Sequence, residues 1–211
     1  MMMNKSLLFL LMVVAATFKI AATDRFFIED FPVQPGDTCQ VEILLENATP
    51  YTAFQTDLYL PEGITLVPNS AALTGRKAVD HTIATSQLLD GGIRLMSYSM
   101  RLNPYAGNSG ALVTLAVAVS PTVKTPVVIT LKNTLLTSTS GVETSVEDSF
   151  CTVFLRGDVN GDSAVSIADV TSLIDLLLAG GSQATSADVN VDGNVSIADV
   201  TSLIDMLLAR V

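Results

Sequence analysis

The 211-residue chain has no tryptophan, one histidine and two cysteines. His81 has no Cys or His neighbours in sequence, which removes a zinc-type ligand set. Gly-x-Ser-x-Gly and His-Glu-x-x-His are absent, as is any Cys–His spacing that would pair a nucleophile with a base. Acids are scattered through the first two thirds (Glu29, Asp30, Glu42, Glu46, Asp57, Glu62, Asp80, Asp90), and nothing singles out the opposed pair that a glycosidase needs. These absences point away from an enzyme. Positive charge is scarce too: 11 Lys and Arg stand against 21 Asp and Glu, a net charge of −10. That balance disfavours nucleic acid and anionic lipid as partners. Without tryptophan, the flat rings on which sugars pack fall to Tyr51, Tyr59, Tyr98 and Tyr105. An ordinary strand or loop tyrosine is the plainer reading of each, because aromatics favour strands anyway.

Long hydrophobic runs are also missing, with one short exception. Lys5 precedes an apolar run from Leu7 to Phe18, and the small residues Ala21 and Ala22 follow. This is the order of a secretory signal peptide, so residues 1–22 are assigned to a signal cleaved near Ala22 and the protein is expected outside the cell. The run has 12 residues, short of the ~20 that span a bilayer. No later stretch is long enough either. In an oxidising compartment Cys39 and Cys151 could pair. Equally, each sits in a strand-like run and reads as a small buried hydrophobe.

Residues 24–155 are built of short alternating runs such as "TCQVEILLEN", "TAFQTDLYL", "GIRLMSYSM", "ALVTLAVAV" and "SFCTVFLR". Alternation of apolar and polar residues is the period of a half-buried strand. In "AFQTDLYL", Phe54, Thr56, Leu58 and Leu60 fall on one face, with Gln55, Asp57 and Tyr59 on the other. Turn signals ("QPGD", "LPEG", "LDGG", "NPYAGNSG") separate the runs, and no helix-period segment intervenes before Arg156. About nine strands in an antiparallel, all-β sandwich are expected.

From residue 156 to 211 the style changes. "DVNGDSAVSIADVTSLIDLLLA" (158–179) returns almost unaltered as "DVNVDGNVSIADVTSLIDMLLA" (188–209). Eight aspartates stand against one arginine from 157 onward, a balance of −7, which invites a cation. Val170, Leu173, Ile174 and Leu177 follow helical spacing, as do Val200, Leu203, Ile204 and Leu207. Each helix is too short to stand alone, so the two are expected to bury their apolar faces together.

Counting from Asp158, oxygen-bearing side chains fall at positions 1, 3, 5 and 12: Asp158, Asn160, Asp162 and Asp169. The second loop has Asp188, Asn190, Asp192 and Asp199. Calcium takes 6–8 oxygens, and this spacing with a helix at the end matches an EF-hand loop. Position 7 supplies a backbone carbonyl (Ala164, Asn194) and position 9 acts through water (Ser166, Ser196). The two calcium sites depart from the standard loop in one shared way: position 12 is Asp rather than Glu. They differ from each other at position 6, Gly193 in the second but Ser163 in the first, so the first is expected to be the more strained. The competing reading is a pair of acidic turns that only cap helices. Two loops with one ligand pattern ahead of one helix sequence weigh against it.

The segment 156–211 closely resembles a type I dockerin, whose two loop–helix repeats lack the leading helix of a true EF-hand. The resemblance implies an all-α calcium-binding domain that docks into a cohesin module of a scaffold, as in cellulosome-like assemblies acting on polysaccharide. It implies partner contacts at loop positions 10 and 11 and on the following helix: Ile167, Ala168 and Asp175, and Ile197, Ala198 and Asp205. Many dockerins carry hydroxyl residues at 10 and 11, whereas both repeats here carry Ile-Ala, which implies a more hydrophobic contact. Alternatively Ile167 and Ile197 only seal the loop onto the helix pair. Residues 24–155 resemble a cohesin-like module, a jelly-roll sandwich related to some carbohydrate-binding modules. A cohesin partner is therefore expected, including the chain's own sandwich in another copy, with a polysaccharide as the alternative ligand.

Overall fold

The computed structural model describes residues 24–180 and 185–209. The predicted signal segment lies outside them. Twelve strands come first: β1 (Arg25–Phe27), β2 (Phe31–Val33), β3 (Thr38–Glu46), β4 (Tyr51–Tyr59), β5 (Ile64–Leu66), β6 (Ala72–Leu73), β7 (His81–Gln87), β8 (Ile93–Ser99), β9 (Ala111–Val119), β10 (Val127–Ser138), β11 (Glu143–Ser145) and β12 (Ser149–Leu155). Helices α1 (Ile167–Leu178) and α2 (Ile197–Leu208) follow, with a 3-10 turn at Thr185–Ala187 between them. The count exceeds the expected nine because β2, β6 and β11 have only two or three residues, too short for alternation to register.

The strands form two sheets. One has the order β1-β3-β9-β5, with β6 also on β9. The other runs β2-β12-β10-β4-β8-β7, with β11 on β10. Every pairing is antiparallel except β12 with β2. Ile43, Leu45, Val113 and Val117 from the first sheet meet Phe54, Leu58, Leu95, Ile129, Leu131 and Val153 from the second, all nearly inaccessible. This is the interdigitated core of two packed sheets.

The outer side of β4 departs from simple alternation. Asp57 is 1% exposed although it lies on the predicted polar face. Arg94, its neighbour on β8, grips both carboxylate oxygens at 2.7 and 2.9 Å, and Asn133 donates at 3.0 Å. Long side chains on adjacent strands bury the acid, which alternation within one strand cannot reveal. Arg94 holds the Asp57 carboxyl below its usual range. Cys39 and Cys151 are not joined. Cys151 is buried, its thiol pushed up to about 12 chiefly by that burial, and it bonds the Glu29 carbonyl at 3.1 Å. Of the two alternatives for the thiols, the small buried hydrophobe fits Cys151.

Candidate functional site

In both repeats the loop is shaped by its own carboxylates. Asp158 Oδ1 accepts from the Gly161 and Asp162 amides (2.8 and 3.1 Å), and its Oδ2 from Ser163 N (2.9 Å). Asp188 likewise accepts from Asp192 N and Gly193 N at 3.1 and 2.9 Å. Asn160 Oδ1 accepts from Asp162 N at 2.9 Å while its Nδ2 donates to Asp162 Oδ2 at 3.0 Å, and Asn190 and Asp192 repeat this. Asp162 and Asp192 in turn accept from the position-7 amides, Ala164 N and Asn194 N, at 2.9 and 2.8 Å.

Position 12 closes each loop. Asp169 is fully buried; its Oδ1 accepts from Val159 N and Asn160 N (2.9 and 3.1 Å) and its Oδ2 from Ser166 N (2.8 Å). Asp199 makes the same three bonds to Val189, Asn190 and Ser196. Each thus completes a capping box with the Ser N-cap. The helix-capping alternative is therefore realised, and by the same carboxylate that closes the loop. The shorter Asp at position 12 reaches these amides and draws the helix start onto the loop start.

The strain falls differently from expectation. Ser163 has φ +68 where the second loop has Gly193, but Val191 has φ +60 where the first loop has Gly161. Each loop needs two left-handed residues and supplies one glycine. A β-branched residue there is the greater outlier, so the second loop is the more strained.

The donor set is oxygen only, from Asp, Asn, Ser and backbone carbonyls, which suits calcium and not a soft metal. As the side chains stand, turned to the loop amides, no three acidic, His or Cys groups converge in a ready-made metal cluster among the described residues. Among those residues the ion pairs are Arg25–Glu46 and Arg94–Asp57, both in the sandwich. The acidic loops therefore have no internal counter-charge. Loop positions, fixed carboxylates and uncompensated charge together fit a hard divalent cation.

Behind the loops, α1 and α2 pack through Val170, Leu173, Val200 and Leu203, joined by Ala187 and Val189. Ile174 and Ile204 were expected on this face, but each is 39% exposed. Two short helices meeting alone cover only a narrow stripe, and these residues fall outside it. They join Ile167 and Ile197, each 72% exposed, and Leu178 and Leu208 on the outside. Ala168, Ala198, Asp175 and Asp205 are exposed as well. Ile167 and Ile197 do not seal the loops. Sequence reasoning missed Leu178 and Leu208, whose spacing from Ile167 and Ile197 by 11 residues is the available signal.

The tyrosine candidates separate clearly. Tyr51 and Tyr105 are buried at 1% and 3%, Tyr59 donates to Asp90 at 2.7 Å, and Tyr98 is 46% exposed beside Met96 on the outer face of the β8 strand. His81 stacks on Tyr105 with ring centres 4.2 Å apart, inside the sandwich.

Residues 156–208 match the family model described as the dockerin type I domain. No curated protein matches the chain. Among solved structures, a type I cohesin–dockerin complex of Coh-OlpA with Doc918 from Clostridium thermocellum aligns at 13% identity and TM-score 0.50, covering 63% of this chain and 99% of that one. The Coh-OlpC–Doc435 complex from the same organism aligns at 11% identity and TM-score 0.51, covering 62% and 93%. CaCohA2 from Clostridium acetobutylicum aligns at 15% identity and TM-score 0.50, covering 62% and 90%. Residues 156–208 are thus a dockerin type I domain, carried behind a β-sandwich with the cohesin fold.

Proposed function

We propose that this protein is a secreted, non-catalytic assembly component whose dockerin tail plugs into a cohesin module of a polysaccharide-degrading, cellulosome-like complex. The carrying observation is the pair of loops with one oxygen-donor arrangement, each leading into a helix whose first residues stand out in solvent. Asp158, Asn160, Asp162, Ala164, Ser166 and Asp169 hold one calcium ion. Asp188, Asn190, Asp192, Asn194, Ser196 and Asp199 hold the other. When bound, the ion offsets the mutual repulsion of the loop carboxylates and couples metal binding to folding. Ile167, Ala168 and Asp175, and their counterparts Ile197, Ala198 and Asp205, meet the partner. The exposed Ile-Ala pairs give an apolar anchor, and Ile174 and Leu178 extend it along the helix.

The solved cohesin–dockerin complexes support a cohesin as the partner. The chain's own sandwich in another copy belongs to the same class of partner. The sandwich presents the outer face of its larger sheet for protein contact. Binding of a polysaccharide there is the alternative, and the exposed ring of Tyr98 is what favours it. Secretion follows from the predicted signal at residues 1–22.

The test is binding of the full chain to immobilised cohesin modules, in calcium and in EGTA. Binding should require calcium. Because the two repeats present the same exposed edge, either one can carry the contact, so Ile167→Asp or Ile197→Asp alone should leave binding, whereas the two together should abolish it. Binding that ignores both the chelator and the double variant would overturn the reading. Sedimentation of the chain by itself, with and without calcium, asks whether its own sandwich is a partner.

A further inference from the structure

Across 22 residues the two repeats differ at only four positions: Gly161/Val191, Ser163/Gly193, Ala164/Asn194 and Leu176/Met206. Two of those four are where the tail touches the sandwich. Ser163 donates its hydroxyl to the carbonyl of Thr125, in the connection between β9 and β10. Gln34, just past β2, donates Nε2 to Met206 Sδ at 3.4 Å. The residues in the twin positions, Gly193 and Leu176, lack the atoms to make either bond.

The surrounding chain is drawn just as closely. Strand β12 ends at Leu155 and the first loop begins at Asp158, so no linker separates them. Arg156 N donates to Val33 O at 3.0 Å, Gly157 N to Ser186 O at 3.2 Å, and Asp158 N to Leu155 O at 3.1 Å. The 3-10 turn rests against β2. Gly157 sits at φ +85, and a Cβ there would lie 2.8 Å from Leu203 Cδ1. A side chain at this point would have to displace the buried Leu203 methyl, on top of the strain of a left-handed backbone. Asp158 is 7% exposed, whereas Asp188 is partly exposed. Both docking edges stay clear, since Ile167 and Ile197 are equally open.

We propose that the first loop is a calcium-dependent joint, clamped to the sandwich through Ser163 and braced by Met206 of the α2 helix packed behind it, by which the ion at that loop stabilises the sandwich. The inference rests on reading the loops as calcium sites. Calcium fixes the loop between Asp158 and Asp169, and that fixes the Ser163 hydroxyl against Thr125. An ion that binds only the folded joint stabilises whatever folds with it. The two sites are then unequal: the first loop bears on the sandwich directly through Ser163, whereas the second reaches it only through Met206, in the last turn of α2.

The test exploits the aromatic distribution. All four tyrosines, and every phenylalanine beyond the predicted signal, lie in the sandwich. Near-ultraviolet circular dichroism of the full chain therefore reports the sandwich and not the tail. Its thermal transition is followed with calcium and with EGTA, and bound ions are counted by equilibrium dialysis. Calcium at about a hundred times its dissociation constant should raise the transition by roughly 5–10 °C. In the double variant Ser163→Gly, Met206→Leu, each residue becomes the one its twin repeat already carries. This variant should still bind two ions but lose most of the rise, and Asp188→Ala should keep most of it. Two bound ions with an unmoved sandwich transition, or a rise undiminished in the double variant, would overturn the joint. If no ion binds at all, the calcium reading itself fails.

Discussion

The sandwich gathers 23 buried side chains into one core; the described part of the tail gathers six. The sandwich pairs two of its acids with arginine, while the described tail has no ion pair. One module therefore rests on apolar burial, and the other sets a very small core against eight like charges. The difference teaches where a cation matters. Apolar area scales with domain size, and a tail of this size has too little to overcome both chain entropy and carboxylate repulsion.

Removing calcium should have the largest effect. The far-ultraviolet helical signal should collapse on chelation at neutral pH, while the near-ultraviolet signal of the sandwich persists at 25 °C with a lowered transition. Persistence of the helices would mean that six side chains suffice. Next comes Leu203→Ala. Leu203 is fully buried and also closes over Gly157. A cavity of this kind costs about 2–5 kcal/mol, which should unfold the tail even with calcium present. Leu95→Ala removes an equally buried leucine from β8 at similar cost, yet the sandwich should stay folded. Thermal scans of the two variants make the comparison directly.

Acid should distinguish the modules again, through Asp57. Hydrogen bonds from Arg94 hold its folded-state pKa below the ordinary value. The stability it contributes is present above about pH 4, the unfolded value, and is lost as pH falls through the folded one. The near-ultraviolet transition should therefore drop in that range, and Arg94→Met should flatten the drop while lowering stability at neutral pH. A drop of the same size in Arg94→Met would assign the acid sensitivity elsewhere.

How far these features were legible depended on their range along the chain. Loop spacing and helical period are local, so Asp158–Asp169 and Asp188–Asp199 stood out from the sequence, while spacing marks Ser166 and Ser196 only as position-9 residues and their capping role came with the structure. Asp57 lies on the face that alternation gives it, but its burial was not legible because the partners that cover it are Arg94 on β8 and Asn133 on β10, remote in sequence. The Ser163–Thr125 and Gln34–Met206 contacts join residues 38 and 172 apart, and nothing local announces them. What the sequence did carry was their trace, in the few places where the repeats disagree.

The smallest expected effect lies in one such place. Val191 holds φ +60, which in an L-residue, and more so a β-branched one, costs about 1–2 kcal/mol. Val191→Gly relieves that cost but adds back ~0.5–1 kcal/mol of unfolded-chain entropy. The net gain should be at most about 1.5 kcal/mol, read as a slightly higher melting point of the helical signal in calcium. Gly161→Val, the reverse exchange in the first loop, should lower it by a similar amount. Because that loop is also seated on the sandwich, the loss should spread into the near-ultraviolet transition, whereas the gain from Val191→Gly should stay confined to the tail. Equal responses of both signals to both variants would mean that the repeats are interchangeable after all, and that the contrast between a seated loop and a free one has no energetic content.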